Sequence, residues 1–480
     1  MQNRKLVHAR CEFGLSLEYR DLIRLSWPLI VANLVMTGIN TIALMFLGRL
    51  SPSSLAAGIL AFSSYSAFVF FSSGLVMATL PMIARAMGKS GNATDEVRTI
   101  VQQGILSSLI ICVPMWVGLW NIESFYHWVG QPQEVAKLAS EIMRYLLWGL
   151  LPYLLFCVLR GLLANSGLAI WSIYAAIAGI SVNALVAWIA MYGKFGIPAL
   201  HARGVGIAVF SAHLTMFAVV LIAVVSIPRL HVYRLAKHWW RIDWPTFQKV
   251  WTIGFPAAVT QGFELLIFNV TMLTMGALGE TALAAYAIAI QVVITAYMVP
   301  AGIGQGITIR VGNAYGSEDH EAISRAGKSG LILGLACSGF IALGTLFLPD
   351  LFISIYVDPE SPANAAVVET ARSFLLLGSI FMLVDSAQTL FSGMLRGLQD
   401  TKVPMLLNAF GYCCIGIPAG LVLAFPMKQS GVGMWGGLIL GIGTVALLIR
   451  HRWASRHRIV NISPSPIHTG LDGSLKKEVG

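Results

Sequence analysis

Charge is what this chain has least of. Of its 480 residues only 11% are Asp, Glu, Lys or Arg, against 56% hydrophobic, and mean hydropathy is +0.74. A soluble domain carries roughly 25% charged residues. A soluble fold of this composition would have too little polar surface, so the chain reads as a polytopic integral membrane protein. Cysteine is scarce too: Cys11, Cys112, Cys157, Cys337, Cys413 and Cys414, all but Cys11 in apolar runs. There is no CxxC and no disulfide framework. GxSxG, HExxH and Walker A motifs are absent, and the ten histidines show no metal-ligand spacing. A membrane-embedded enzyme is therefore not expected, nor is any cofactor. Without a nucleotide site, any pumping must draw on an ion gradient. The net charge of +10 forms no basic stripe, so nucleic acid is not an expected partner. The polar N-terminus shows no cleavable signal peptide.

What the chain does have is long apolar runs. A span needs about 20 residues, and about twelve runs qualify, near 22–47, 54–84, 99–119, 138–159, 167–192, 204–227, 247–276, 283–309, 326–348, 369–395, 403–425 and 431–449. An even number puts both termini on one side. Basic residues mark that side: Arg85, Lys89 and Arg98 after the second run, Arg229 to Lys249 around the loop after the sixth, Arg310, Arg325 and Lys328 after the eighth, Arg396 and Lys402 after the tenth, and Arg450 to Arg458 after the twelfth. The positive-inside rule makes these ends cytoplasmic, in a bacterial inner membrane. Lys194 and Arg203 are exceptions on the outer side. The expected organisation is a cytoplasmic segment 1–21, a six-helix bundle 22–227, a cytoplasmic linker 228–246, a second bundle 247–449 and a tail 450–480. Trp239, Trp240 and Trp244 make the linker an interfacial connector, and the Ser-, Pro- and Gly-containing end beyond 460 reads as disordered.

The two halves repeat. An offset of 228 pairs Pro28 with Pro256, Gly48 with Gly276, Leu55-Ala56-Ala57 with Leu283-Ala284-Ala285, Gly74 with Gly302 and Gly88 with Gly316. Further on, Leu159-Arg160-Gly161 pairs with Leu395-Arg396-Gly397 at 236, and Gly204-Val205-Gly206 with Gly431-Val432-Gly433 at 227. Six spans per repeat give both halves the same orientation. The fold class is thus all-α, about twelve transmembrane helices in two parallel six-helix bundles. They are related by a pseudo-two-fold along the membrane normal, with a cavity between them.

Two acids interrupt the apolar runs, Glu264 in the seventh and Asp385 in the tenth. Ionisable groups at such depth are costly and mark function. Helical rise puts them about 18 and 24 Å from the outer end, compatible with one shared site. By the repeat they fall opposite Met36 and Gly149, so the pair is one-sided. No basic residue is expected mid-span to neutralise it. Such a pair holds a proton, a Na⁺ or a cationic substrate. Gln261 and Gln388 lie three residues from an acid and share its helix face. Asn269, Gln291 and Asn408 supply further amides in the same half, and any one of these amides serves equally well as interhelical glue. Pro28, Pro256, Pro300 and Pro418 interrupt spans; Pro256, two turns from Glu264, is the candidate hinge. Phe263, Phe268, Met272, Tyr286, Tyr297, Met298, Phe381 and Met382 face lipid or neighbouring helices for the most part. A minority could line an adaptable cavity, with Phe268, Tyr286 and Phe381 as candidates.

Four stretches resemble a known family: Leu47-Gly48-Arg49-Leu50 with Leu55-Ala56-Ala57; Tyr192-Gly193-Lys194-Phe195-Gly196-Ile197-Pro198-Ala199-Leu200; Arg310-Val311-Gly312-Asn313; and Asp385 through Leu395-Arg396-Gly397 to Asp400-Thr401-Lys402-Val403-Pro404. They resemble the multidrug and toxic compound extrusion (MATE) family, NorM-like branch. The resemblance implies alternating access between two bundles and coupling to Na⁺ or H⁺, with Glu264 and Asp385 at the family's cation-binding positions. It also implies departures: Ala43 where an Asp is common, Ala187 where Asn or Asp is common, Tyr286-Ala287 for His-Gln, and Phe381 for Tyr. The first bundle's cation site is expected to be lost. The leading reading is a monomeric secondary antiporter in the lipid bilayer, exporting amphipathic or cationic small molecules in exchange for H⁺ or Na⁺. The alternative is a flippase for a lipid-linked or peptidoglycan precursor, which would want basic residues inside its cavity.

Overall fold

The structure is a computed structural model that describes residues 2–458 apart from 90, 92, 197 and 238–240, with side chains from residue 18 onward except at 363 and 458. Trp239, Trp240 and the tail beyond 460 therefore lie outside the described residues. Among the described residues there is no strand, and twelve helices are long and apolar enough to cross a membrane. They are α1 (Gln2–Gly48, its apolar span beginning at Glu18), α2 (Pro52–Gly88), α3 (Ala93–Trp120), α4 (Gln133–Asn165), α5 (Trp171–Tyr192), α6 (Arg203–Ser226), α7 (Trp244–Leu278), α8 (Glu280–Gly316), α9 (His320–Phe347), α10 (Ala365–Gly397), α11 (Lys402–Ala424) and α12 (Ser430–Ala454). The expected polar segment 1–21 is not separate, because helix runs from Gln2 straight into the first span.

Local chemistry sets the helix ends. The Ser51 side chain accepts from the Ser54 amide at the start of α2, Asp243 does the same for Thr246 at α7, and Asp319 for Ala322 at α9. Each satisfies an amide that the first turn leaves without a partner. Gly193 takes a left-handed conformation, φ 66°, to end α5. Within the linker, residues 228–233 form a 3₁₀ turn, and Trp244 already belongs to α7. The linker is tied to the first half: the Gln102 amide donates to the carbonyls of Leu235 and Lys237, and Gln103 to that of Arg241.

Two buried cores account for most of the packing. One gathers α1–α6 from Ile39 onward; the other gathers α7–α12 from Ile267 onward. They exchange helix starts. Leu22, near the start of the apolar span of α1, is buried in the second core, and Val250, in the first turns of α7, is buried in the first. These two residues are each other's counterparts at the offset of 228. The seam repeats this symmetry. A Cβ at Gly74 would stand 2.6 Å from Ala258 Cα, and one at Gly302 would stand 3.0 Å from Ile30 Cα, again a pair of equivalent contacts. Lipid offers apolar side chains no disadvantage over protein, so helices in a bilayer associate through close van der Waals packing at small residues.

The named cross-lobe contacts all fall in the half of the membrane nearer the basic loops. α8 touches the Thr79–Gly88 end of α2, α7 touches α2, and α1 touches α8. The lobes thus form a V closed at its basic end. Two polar clasps reinforce the closure. Arg310 of α8 donates from Nε and Nη2 to the Glu18 carboxylate of α1 at 2.8 and 2.6 Å, with Asp21 3.5 Å from Nη1. Arg85 of α2 donates to Gln399 and lies over the Tyr315 ring at 4.5 Å. Arg310 is therefore part of the seam and not a loop residue.

Candidate functional site

The site lies in the second lobe, where α7, α8, α10 and α11 converge. α7 contributes Glu264 and α10 contributes Asp385, both half-buried. The two carboxylates lie within electrostatic range of each other. Tyr297 of α8 and Tyr412 of α11 each lie within range of both acids. Gln388, one turn along from Asp385, lies near Glu264. Its amide also donates to Asn408 Oδ1 at 3.0 Å, and Thr389 donates to its carbonyl oxygen at 3.3 Å. Asn408 in turn donates to the Pro404 carbonyl at 2.7 Å. Gln388 and Asn408 are buried and mutually satisfied, which fixes the amide that faces Glu264.

Asp385 borders a small cavity between α8, α9 and α10, with Tyr297, Ser338 and Ser386 in its wall. Its volume, 10 Å³ over the positions open to a water-sized sphere, is about what one water needs. Ser386 donates to Ser338 at 2.8 Å on the way across it. The cavity beside Asp385 is thus scaled to a single water-sized occupant.

Helix geometry is broken around Tyr412. Residues Phe410–Gly416 of α11 form a π-helical turn. Such turns recur at functional positions because the extra residue redirects a side chain. Pro418, which has no amide hydrogen for the preceding turn, lies just beyond it. Nothing in hydrophobic periodicity marks Tyr297 or Tyr412 as site residues. The available signal was the Asn408–Tyr412 spacing of four, which a regular helix would already have placed on one face.

Other expected site residues lie elsewhere. Phe381 is fully buried and Tyr286 is 3% exposed. With Phe268 they pack around Trp435, at ring separations of 5.7 Å for Phe381–Trp435, 6.0 Å for Tyr286–Trp435 and 6.2 Å for Phe268–Phe381. Tyr286 further donates to the Phe268 carbonyl at 3.4 Å. Tyr286 and Phe381 belong to the second lobe's aromatic core, with the half-buried Phe268 against Phe381. Asn269 is exposed and bonds back to the Leu265 carbonyl at 2.8 Å, away from the acids. Gln261 turns to the seam, where its amide meets Met77 Sδ at 3.7 Å. Gln291 has no side-chain hydrogen bond among the described residues, and only its carbonyl is used, by Thr295. Pro256 is buried inside an unbroken α7, with Thr260 donating to its carbonyl at 2.9 Å. Arg396, near the end of α10, lies within electrostatic range of Glu264, while its Nε donates to Ser392 O at 3.4 Å.

Similarity to known proteins agrees with this architecture. The MatE family profile matches residues 28–189 and again 256–422, two stretches whose starts differ by the repeat offset of 228. The probable multidrug resistance protein NorM of Brucella suis is 40% identical over 92% of this chain and 93% of its own length. The protein of the same description from Mesorhizobium japonicum is 38% identical over 92% and 95%. Among solved structures, a eukaryotic MATE transporter superposes with a TM-score of 0.83 at 20% identity, covering 93% of this chain and 99% of that one. Matched by the profile in both halves and by relatives along nearly its whole length, the chain belongs to the MATE family of membrane transporters.

Proposed function

We propose that the protein is a secondary active multidrug antiporter of the bacterial inner membrane. It exports amphipathic or cationic compounds in exchange for H⁺ or Na⁺, with coupling at Glu264 and Asp385. The observation that carries this reading is the clustering of the two carboxylates with Tyr297, Tyr412 and Gln388 inside one lobe of a two-lobe V. The relatives' description as multidrug resistance proteins supports the substrate class. The positive-inside rule supports a cytoplasmic location for the basic, closed end and for both termini, so the V opens outward in this state.

The chemistry follows from low dielectric. Two half-buried carboxylates near each other gain from one shared cation, because Coulomb interactions are screened less in a partly enclosed site than in bulk water. The phenols and the amide supply neutral oxygens, which suits a proton on one carboxyl or a hard ion such as Na⁺ equally well. Drug and ion then favour opposite facings of the V, and exchange follows from that difference in affinity. The test is efflux of ethidium from proteoliposomes under an imposed Na⁺ gradient and, separately, an imposed pH gradient. Efflux driven by one of them, and lost in Glu264→Gln and Asp385→Asn, is the expected result. Undiminished efflux in both variants would overturn the site, and efflux under neither gradient would overturn antiport.

A further inference from the structure

The first lobe holds an ionisable group that the proposed coupling site does not use. His213, near the middle of α6, is 8% exposed. Its Nδ1 lies 3.2 Å from the carbonyl of Gly149 and 3.4 Å from the hydroxyl of Tyr65, and its ring lies 5.0 Å from that of Tyr153. A carbonyl only accepts, so Nδ1 carries the hydrogen and Nε2 the lone pair. Nε2 has no hydrogen-bond partner among the described residues and is not among the sealed, unpaired polar atoms.

The repeat gives this geometry its meaning. Gly149 is the first-lobe counterpart of Asp385. A Cβ added there would stand 3.0 Å from His213 Nδ1 and 3.1 Å from Tyr65 Oη. Tyr65 itself corresponds to Val293, which lines the Asp385 cavity. Where the second lobe places a carboxylate, the first leaves a glycine, and an imidazole and a phenol occupy the space. The bases below the two sites also correspond: Arg160, which donates to Asn33 at 2.7 Å, is the counterpart of Arg396.

We propose that His213, seated over Gly149 at the first-lobe equivalent of Asp385, is a second proton-binding site of this protein. It takes its proton on Nε2, separately from the carboxylate pair. The groups around it are few. Tyr65 from α2 and Tyr153 from α4 face the ring, with Cys157 and Arg160 further along α4 and Cys112 of α3 beside Tyr65. Of the remaining ionisable side chains on the helices packed against α6, Glu134, Lys137, Glu141, Arg144 and Tyr145 of α4, Tyr174 and Tyr192 of α5, and Glu18, Tyr19, Arg20, Asp21, Arg24 and Arg49 on or just after α1, none is hydrogen-bonded to it. Among the described residues no carboxylate neutralises a charged imidazole here, so protonation calls for water or a changed lobe geometry, which makes the site responsive to facing.

The decisive experiment is magnetic resonance of the full-length, histidine-labelled protein in lipid nanodiscs. The ring signal missing from His213→Asn, which keeps a donor for the Gly149 carbonyl, identifies the residue. We expect that signal to pass from neutral to charged imidazole as the pH is lowered from about 8 to about 3, with its midpoint moved by ethidium. An imidazole that stays neutral across that range, with and without ethidium, overturns the proposal whatever the protein transports. In proteoliposomes, His213→Asn should flatten the pH dependence of efflux while Tyr65→Phe, which leaves the imidazole, should keep it. A His213→Asn profile that superimposes on the wild type would likewise overturn a role for the site in transport.

Discussion

Ala84 and Gly312 face each other across the seam, a Cβ on Gly312 standing 2.7 Å from that of Ala84, and each is the other's counterpart in the sequence repeat. The pair therefore sits on the pseudo-two-fold itself. On either side, a Cβ at Gly88 would overlap the Asn313 carbonyl, and one at Gly316 would overlap that of Arg85, again equivalent contacts. Backbone meets backbone at the closed end of the V. No side chain cushions the contact, so the closure is sensitive to a single added atom.

Gly316→Val should hold the basic end apart, since the overlap is with backbone and cannot be relieved by rotating a side chain. Spin labels placed on the ends of α2 and α8 should report a longer distance in the variant. An unchanged distance distribution, with wild-type efflux, would show that the seam does not control facing.

The Glu18–Arg310 clasp should weigh on the same equilibrium. A hydrogen bond between charged groups contributes about 1.5–3 kcal/mol, so Glu18→Gln should shift the ratio of closed to open basic end by roughly tenfold to a hundredfold. Arg310→Gln should do the same, and the exchange Glu18→Arg with Arg310→Glu should recover part of the loss. Cysteine accessibility at the basic end measures the shift, and no recovery in the exchange would argue against a direct pair.

Tyr297→Phe and Tyr412→Phe should leave the fold intact and weaken ion coupling. Each removes one phenol hydroxyl within electrostatic range of both acids. The expected readout is a higher ion concentration for half-maximal efflux, with unchanged melting temperature. Equal ion dependence in both variants would place the phenols outside the site.

Phe381→Ala separates core from cavity. Fully buried against Phe268 and Trp435, it should lower stability by about 3–5 kcal/mol, seen as earlier thermal unfolding in detergent. The range of exported compounds should stay the same in the protein that remains folded. A changed range with unchanged stability would return Phe381 to the substrate path.

Twelve spans, the duplication and the unusual character of Glu264 and Asp385 were all legible in the sequence. Each is a one-dimensional property. Span length follows from bilayer thickness, the repeat from register, and an acid in an apolar run from its cost in hydrocarbon. Only the tertiary structure decided who surrounds the acids. Tyr297 and Tyr412 come into range of both acids from α8 and from the π turn of α11, and Arg396 comes into range of Glu264 from the end of α10. Tyr286 and Phe381 go to the core because Trp435, more than fifty residues from Phe381, packs against both, and Phe268 packs on Phe381. The exchange of Leu22 and Val250 between cores, and His213 over Gly149, also depend on helices far apart in the chain. Sequence sets what each helix costs to place in a membrane; which faces meet is decided by packing between helices, where hydropathy is nearly uniform and small residues and single polar groups choose the partner.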